Sequence, residues 1–291
     1  MSNEKIYFID GDANEYLLHD DSSKMVTSLA GVGAPDIELY SQKTPFQHGA
    51  QFLGYNWQPR KVIVGIYRYP TNRNALYEDH ETLLSAIRPD RGEGTLKWVL
   101  NDGTVRQLDV YFSGGLKYDT KDQVAFKHQV DVLELTAFSP FWYNPTTNST
   151  GYVMLTTSDS FFPFLFPFSL SASGISVSSS ITNNGQVDAY PTLTITGPGD
   201  NPEIFNVTTG KRLSLTYTIP AGQTIVVDSN IGEKTVIYDN GVSETNVIGY
   251  LSSDSEFFPV QPGANTIRCS MNNTTASSGV VIAFSDQYLG V

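Results

Sequence analysis

The second half of the chain alternates apolar and polar residues in short runs. TLTI at 192–195, RLSLTYTI at 212–219 and QTIVVDS at 223–229 repeat an apolar residue at every second position, which predicts half-buried β-strands. KTVIYDNGVSE adds a hairpin signal at Asn240-Gly241, and later runs are GYLS, EFFPV, NTIRCSM and GVVIAF. Roughly eight to ten short strands in about 140 residues predict a two-sheet β-sandwich of jelly-roll character.

The first half of the chain mixes the two periodicities. RKVIVGIYRY at 60–69 is a β-branched and aromatic run that Pro70 ends, so it predicts a strand. The following segment has helical spacing, with Asn74 as the expected N-cap and Pro89 as the stop. One apolar stripe of that helix would contain Leu76, His80, Leu83, Leu84 and Ile87. We interpret His80 as a hydrogen-bonded packing residue, because no metal-ligating partner stands at a suitable spacing.

Two further strand patterns follow the helix. TLKWVLNDGTVRQLDVYF predicts a hairpin around Asp102-Gly103. In HQVDVLELTAF the apolar phase shifts from Val130 and Val132 to Leu133 and Leu135, which requires a bulge or burial on both faces. The first half is therefore predicted to be an α+β domain, one helix on a mostly antiparallel sheet.

The polar, turn-rich stretch PTTNSTG at 145–151 is the expected junction between the halves. We accordingly predict a mainly β protein of two domains, with residues 1–145 forming the α+β domain and 146–291 forming the sandwich.

FFPFLFPF at 161–168 carries no charge, yet it is too short to cross a membrane, which takes about 20 apolar residues. As an extended segment it would place four phenylalanines on one face, and its prolines suit an edge strand. A place in the sandwich core and an intermolecular contact both remain open from the residues alone.

The composition limits the classes of partner. The 291 residues carry a formal net charge of −12, and only 16% of them are charged, against about 25% in ordinary soluble proteins. Because Lys and Arg are scarce, the chain is a poor candidate for wrapping nucleic acid or docking on anionic membranes. Cys269 is the only cysteine, so an internal disulfide is excluded. The start MSNEKIYFIDGDANE lacks an apolar signal segment, so we expect cytoplasmic synthesis and no membrane insertion.

No catalytic motif is visible, and we predict no catalytic, cofactor-binding or metal-binding residue. Gly92-Glu93-Gly94 and Ser113-Gly114-Gly115 are interpreted as turns, because neither opens a helix. Acidic pairs such as Asp20-Asp21 and Asp254/Glu256 are interpreted as surface carboxylates. A glycoside hydrolase would need such a pair at a defined separation.

The segment Asp10, Asp12 and Asn14 has the spacing that opens a calcium loop. Counting from Asp10, however, Glu15 and Asp21 stand where an EF-hand needs glycine and glutamate. An acidic surface turn is the preferred interpretation. Aromatic residues of the second domain could instead form a sugar platform, and Tyr190, Tyr217, Tyr238 and Tyr250 qualify by type. Each lies in or beside a predicted strand, where packing explains it equally well.

The stretch ITNNGQVDAYPTLTITGPGDNPEIFNVTTGKRLSLTYTIPAGQTIVVDS resembles the C-terminal half of the siphophage distal tail protein family. The features that carry the resemblance are Asn183 with Gly185, Pro191, Gly197, Asn201-Pro202 with Ile204, Asn206 with Thr208-Thr209-Gly210, Gly222 and Asp228. Gln223 departs from the family's acidic residue. SEFFPVQPGANTI, the segment IRPDRGEGTLKWVLNDGTVRQLDVYFSGGL and the Ser-Pro-Phe-Trp-Tyr at 139–143 are also similar to the family, and FFPFLFPF looks like the strand that begins its C-terminal domain.

The resemblance implies a structural protein of the phage tail tip. It implies a ring of six copies around a channel for DNA, with a galectin-like sandwich as the C-terminal domain. The implied partners are the tail-tube, tape-measure and tail-associated tip proteins, and the implied location is the virion. A carbohydrate-binding adhesin that recognises host cell-surface glycans is the alternative from another class, and a glycoside hydrolase is the third.

Overall fold

The computed structural model of the chain describes residues 4–20, 24–46, 48–116, 129–153 and 174–291. The packing of the chain divides it into two compact units. The first unit contains residues 1–145 and the C-terminal residues 288–291, and the second contains residues 146–287. The sequence had assigned the last four residues to the second domain. Segment 161–168, FFPFLFPF, lies outside the described residues.

The first unit is built on one antiparallel sheet in the order β2-β1-β7-β8-β9-β6-β3, to which β10 and β22 are added. A separate two-stranded ribbon is formed by β4 and β5. The strands of this unit are β1 Lys5–Ile9, β2 Glu15–His19, β3 Lys24–Ala30, β4 Ile37–Gln42, β5 Gln51–Trp57, β6 Arg60–Arg68, β7 Gly94–Val99, β8 Val105–Gly115, β9 Gln129–Ala137, β10 Trp142–Tyr143 and β22 Gln287–Tyr288.

The α-helix α1, Arg73–Ala86, packs on this sheet and is followed by a short 3-10 helix, Pro89–Arg91. The predicted helix is confirmed, but two of its details were wrong. The N-cap is Asn72, whose side chain accepts a hydrogen bond from the Ala75 amide, and Asn74 lies inside the helix. Leu84 is exposed, because it lies about 80° around the helix from Leu76 and so falls outside the buried stripe. Within the described residues α1 is the only α-helix of the unit, which agrees with the predicted α+β domain.

The predicted hairpin is also present. β7 and β8 pair in register, and Gly103 takes a positive φ of 82° in the turn between them. The Asp102 carboxylate accepts a hydrogen bond from the Thr104 amide at 2.8 Å, which closes the same turn.

The predicted bulge or two-sided burial of β9 was wrong. It pairs with β6 in continuous register over its whole length, and the bulge lies in its other neighbour, β8, near Ser113. The inward residues are every second one from Gln129 to Ala137, and two of these are polar. Asp131 is buried because it binds Arg68. The outward Val130 and Val132 are exposed, so neither a bulge in β9 nor burial on both faces occurs in this unit.

The second unit consists of two antiparallel sheets. One has the order β11-β21-β13-β17-β18-β19, and the other has the order β12-β20-β14-β15 with β16 beside β14. Their strands are β11 Asn148–Val153, β12 Gly174–Asn183, β13 Thr192–Thr196, β14 Gly199–Asn206, β15 Lys211–Ser214, β16 Thr218–Ile219, β17 Thr224–Asp228, β18 Thr235–Asp239, β19 Glu244–Asn246, β20 Gly263–Asn272 and β21 Gly279–Phe284.

One hydrophobic core joins the two sheets of this unit. Leu193 and Ile225 from the first sheet share it with Ile204, Ile267 and Met271 from the second, each with at most 1% of its surface exposed. The β-sandwich prediction is therefore confirmed. The predicted runs GYLS and EFFPV do not form regular strands. The first contains the end of a 3-10 helix, and the second contributes a single bridge, Ala189 to Val260.

Candidate assembly surfaces

The Asp10 turn is a closed hydrogen-bond network. The Oδ1 atom of Asp10 accepts from the Asp12 amide at 3.0 Å and from the Asn14 amide at 2.9 Å, and Oδ2 accepts from the Tyr16 hydroxyl at 3.0 Å and from Arg91. Burial alone would raise the pKa of Asp10, but the hydrogen bonds from Asn14, Tyr16 and Arg91 outweigh it and lower the pKa to about 2.

That network leaves the Asp10 carboxylate no free direction for a cation, because calcium takes six to eight oxygen ligands and here both oxygens face donors. Within the residues that the structure describes, no group of three or more His, Cys, Asp or Glu side chains has a geometry that could hold a metal ion. Asp10 is therefore a structural residue that ties β1 to the 3-10 helix through Arg91.

The remaining chemical candidates also serve the fold. Asp254 binds Arg212, and Glu256 lies 3.2 Å from Lys211, so each carboxylate has its own cation. Gly92 ends the 3-10 helix at a φ of 82°, as the turn interpretation expects. The interpretation of Ser113-Gly114-Gly115 as a turn was wrong, because these residues are the end of β8, where Gly115 takes a φ of 98°. Asp21 lies outside the described residues.

His80 lies at the helix–sheet contact, where its Nδ1 atom is 3.0 Å from the Arg68 guanidinium. Burial and the charge of Arg68 both lower the pKa of His80. This position agrees with its interpretation as a packing residue.

Three of the four candidate tyrosines are brought together in the second unit. The ring centroid of Tyr217 is 5.3 Å from that of Tyr238 and 5.1 Å from that of Tyr250, with interplanar angles of 56° and 79°. Tyr217 and Tyr238 are half-buried against the core, and the Tyr238 hydroxyl donates to the Gln223 side chain. Tyr190 is not part of this cluster. Tyr217 and Tyr238 meet at a tilt and pack against the core, so they are part of the sandwich, whereas Tyr250, which meets Tyr217 edge to face, is 53% exposed.

The β4–β5 ribbon, which we call the arm, is the most exposed regular structure of the first unit. Its base is closed by the Gln58 amide, which donates to the Asp36 carbonyl at 2.9 Å, and by the edge contact of Trp57 with Phe141 at 6.0 Å. Every residue of β4 is exposed. A two-stranded ribbon is marginally stable on its own in water, so the arm is suited to packing on something else.

The arm has one apolar face and one polar face. Register places Ile37 opposite Trp57, Leu39 opposite Tyr55 and, beyond a bulge, Ser41 opposite Phe52. Directly opposed residues share a face, so five large apolar side chains lie together. We call this the apolar arm face; its residues are Ile37, Leu39, Phe52, Tyr55 and Trp57. The first four of these are between 47% and 66% exposed.

The opposite arm face is polar and internally bonded. Asn56 donates to the Tyr40 hydroxyl at 3.2 Å, and Tyr40 and Gln58 donate to the Glu38 carboxylate at 3.1 and 2.8 Å. These bonds give the polar face its own structure in contact with water. The apolar face has no comparable arrangement among the described residues, and it is the side suited to contact with a protein surface.

A second exposed apolar surface lies on the outward side of the main sheet. Register places Met25 of β3, Tyr67 of β6 and Val130 of β9 directly opposite one another, and Val132 is next along β9. We call these four residues the outer row. Met25, Val130 and Val132 are between 41% and 47% exposed.

Sequence reasoning missed the arm. Ile37 and Leu39 alternate with polar residues before a polar turn, as Tyr55 and Trp57 do after it, and this was a usable signal for a hairpin. It could not show that the apolar side of that hairpin would face solvent, because an alternating pattern is ordinarily satisfied within the same domain.

Comparison with known proteins gives a consistent result along the chain. Residues 184–288 match the family model described as siphovirus-type tail component, C-terminal domain. No curated protein sequence matches the chain. The described residues contain no helix long and apolar enough to cross a membrane.

Solved structures share the fold over almost the whole length. The crystal structure of the Dit protein (gp 19.1) of phage SPP1, described as a paradigm of the hub adsorption apparatus in phages infecting Gram-positive bacteria, superposes with a TM-score of 0.66 at 14% identity, covering 97% of this chain and 98% of that chain. The baseplate of phage P2 in its activated conformation with Ca contains a chain with a TM-score of 0.55 at 8% identity, covering 99% of both chains. The structure of the same conformation with Sr gives a TM-score of 0.53 at 8% identity, covering 97% of both chains.

Proposed function

We propose that the chain is a distal tail protein of the siphophage type, a structural tail and baseplate component, and that six copies form a ring at the end of a phage tail. The ring connects the tail tube to the tip and leaves a channel for DNA. Its partners are the tail-tube protein, the tape-measure protein and the tail-associated tip protein, and its location is the virion.

The apolar arm face is the observation that supports assembly through the first unit. A soluble monomer rarely leaves large contiguous apolar side chains exposed, and patches of this kind mark protein–protein contacts. The arm and the outer row both belong to the first unit. We therefore assign ring formation to residues 1–145.

The charge balance supports a channel through which DNA passes without being held. Lys and Arg number 18 against 30 Asp and Glu, and the net charge is −12. Affinity for DNA comes mainly from basic side chains that release counterions from phosphates. An acidic ring would repel the phosphates and so reduce retention of DNA during passage. The role is structural, and no step of bond making or breaking is assigned to the protein.

Mass photometry and negative-stain microscopy of the purified chain test this function. We expect particles of six times 32.0 kDa and ring views with sixfold symmetry. A ring of another copy number would contradict the hexamer. Monomers at every concentration, with and without added tail-tube protein, would contradict ring formation altogether. Binding of the chain to a glycan array, with no assembly, would favour the adhesin alternative.

A further inference from the structure

We propose that the apolar arm face of one copy packs on the outer row of the next copy, so that each copy contributes its arm to one neighbour and its sheet to the other. This inference rests on the proposed ring and names the surfaces that would hold it together. The occupant of both surfaces is thus a second copy of this chain.

The sequence of β9 is the first argument for the outer row. Val130, Val132, Leu133 and Leu135 make the strand apolar on both sides, a pattern typical of strands buried on both faces. In the described part of the chain, Val130 and Val132 on the outward side are 47% and 42% exposed, and the strand pairs in continuous register with β6, with no bulge to explain the pattern. A neighbour on the outward side would complete the burial that the sequence indicates.

The two-sided character of the arm is the second argument. Its polar face is organised by the Glu38, Tyr40 and Asn56 hydrogen bonds and can remain in water. Among the described residues its apolar face has ring packing instead, of Tyr55 on Trp57 and, at the base, of Trp57 on Phe141. An alternating ribbon of this kind is stable when its apolar side lies on another apolar surface.

The areas of the two surfaces are of the size that one interface needs. With the about 150–250 Å² of an aromatic side chain as an upper limit for the aliphatic ones, the exposed fractions leave up to about 500 Å² on the apolar arm face and up to about 250 Å² on the outer row. A standard interface buries about 1,600 Å² in total, of which about 900 Å² is apolar. The two surfaces together thus supply most of the apolar area of one interface.

Two different surfaces on one chain give a head-to-tail contact. Such a contact uses one surface of each partner and leaves the other free, so it continues from copy to copy and closes as a ring when the rotation allows. A contact of the arm with a different tail protein would leave the outer row without an occupant.

Single substitutions at each surface test the contact. Leu39→Asp places a charge on the arm, Val132→Asp places one on the outer row, and Val242→Asp is the matched control at a residue of the second unit that is 94% exposed. We expect Leu39→Asp and Val132→Asp each to weaken assembly at least about 30-fold, the effect of one central interface residue, whereas the control assembles like the wild type. Tryptophan fluorescence verifies folding, because Trp57, Trp98 and Trp142 all lie in the first unit.

Mixing the two variants gives the sharper result. The Leu39→Asp chain keeps an intact outer row, and the Val132→Asp chain keeps an intact apolar arm face. In an equimolar mixture only one kind of contact can therefore form, with the arm of a Val132→Asp chain on the outer row of a Leu39→Asp chain. We expect two-copy complexes in the mixture and single copies in each variant alone. Six-copy rings in either variant alone would overturn the proposed contact while leaving the ring function intact. A wild type without rings would overturn both.

Cross-linking provides a readout that does not depend on destabilising the interface. The only native cysteine, Cys269, is buried, and burial raises the pKa of its thiol to about 12, so it does not react. A Leu39→Cys/Val132→Cys chain treated with a short bismaleimide should give covalent products of up to six chains. A Leu39→Cys/Val242→Cys chain should give none. Equal products from both, or products from neither, would contradict the contact.

Discussion

Arg68 and Asp131 form an ion pair inside the first unit, where 1% and 0% of their side chains are exposed. Arg68 ends β6 and Asp131 lies on the neighbouring β9, and Gln129 donates a further hydrogen bond to Asp131 at 2.9 Å. Arg68 also reaches Asp79 of the helix at 3.2 Å. One guanidinium therefore joins the sheet to the helix that packs on it.

Replacing Arg68 with Met leaves the Asp131 carboxylate buried without a cation. We expect a loss of about 3–5 kcal/mol in the free energy of unfolding, the usual cost of breaking a buried pair from one side. Urea unfolding followed by tryptophan fluorescence measures it in the first unit. The double variant Arg68→Met/Asp131→Leu should recover most of the loss, because no charge then remains unpaired. A double variant as unstable as Arg68→Met would contradict this account.

The Asp10 network predicts a specific acid sensitivity. Its folded pKa of about 2 lies below the ordinary 3.8, so the carboxylate stabilises the fold above about pH 4, and this contribution is lost as the pH falls toward 2. Asp10→Asn removes the charge and should cost about 1.5–3 kcal/mol at pH 7, because hydrogen bonds to a charged group are lost.

The measurement is the difference in unfolding free energy between wild type and Asp10→Asn across pH 2–7. This difference should shrink below pH 4 and be small near pH 2. Subtracting the variant removes the contribution of the other carboxylates. A difference that stays constant down to pH 2 would show that Asp10 is not ionised in the network.

The sequence predicted the elements that depend on local pattern. The helix was visible because Leu76, Leu83 and Ile87 recur at helical spacing, and the β7–β8 hairpin because Asp102-Gly103 suits a tight turn. The N-cap was misplaced by two residues, since Asn72 and Asn74 are equally good caps by type and only the backbone path selects one of them.

Features that depend on distant partners were not predictable. The burial of Asp131 could not be predicted from its own strand, because it is explained by Arg68, which is 63 positions away. The same reason applies to the sheet order, to the placement of residues 288–291 in the first unit and to the exposure of the arm. Each depends on contacts between residues that are far apart in the sequence. The sandwich was predicted from its alternating strands. The apolar arm face and the outer row were not predicted, because an alternating pattern normally indicates apolar side chains that are buried, and here they are exposed.

Arg60 predicts how firmly the C-terminal residues are held. Its buried guanidinium donates to the carbonyls of Gly31 at 3.0 Å, Gly33 at 2.6 Å and Leu289 at 2.6 Å. Arg60→Met removes the guanidinium donor of these three hydrogen bonds and should cost about 2–3 kcal/mol. Hydrogen exchange at the Val291 amide, which donates to the Val32 carbonyl, should accelerate at least tenfold.

The control for this prediction is Arg106→Gln, which removes the contact of the Arg106 guanidinium with the Tyr288 ring, 3.6 Å from its centroid, but leaves the three carbonyl bonds. It should accelerate exchange less than Arg60→Met. Equal acceleration in the two variants would show that ring stacking, and not the carbonyl bonds, holds the segment.

The turn after β14 gives a prediction in the second unit. The Asn206 side chain accepts from the amides of Thr208 and Thr209 at 3.0 and 3.2 Å, and Gly210 completes the turn at a φ of 73°. No atom lies within 4 Å of the position that a Cβ at Gly210 would take. The cost of Gly210→Ala is therefore backbone strain alone, about 1–2 kcal/mol, and Gly210→Asn should cost less because asparagine tolerates this conformation. Calorimetry should show a lower unfolding temperature for the second unit, which contains no tryptophan and is therefore not reported by tryptophan fluorescence. A loss well above 2 kcal/mol, or an asparagine variant less stable than the alanine one, would contradict the assignment of the cost to φ.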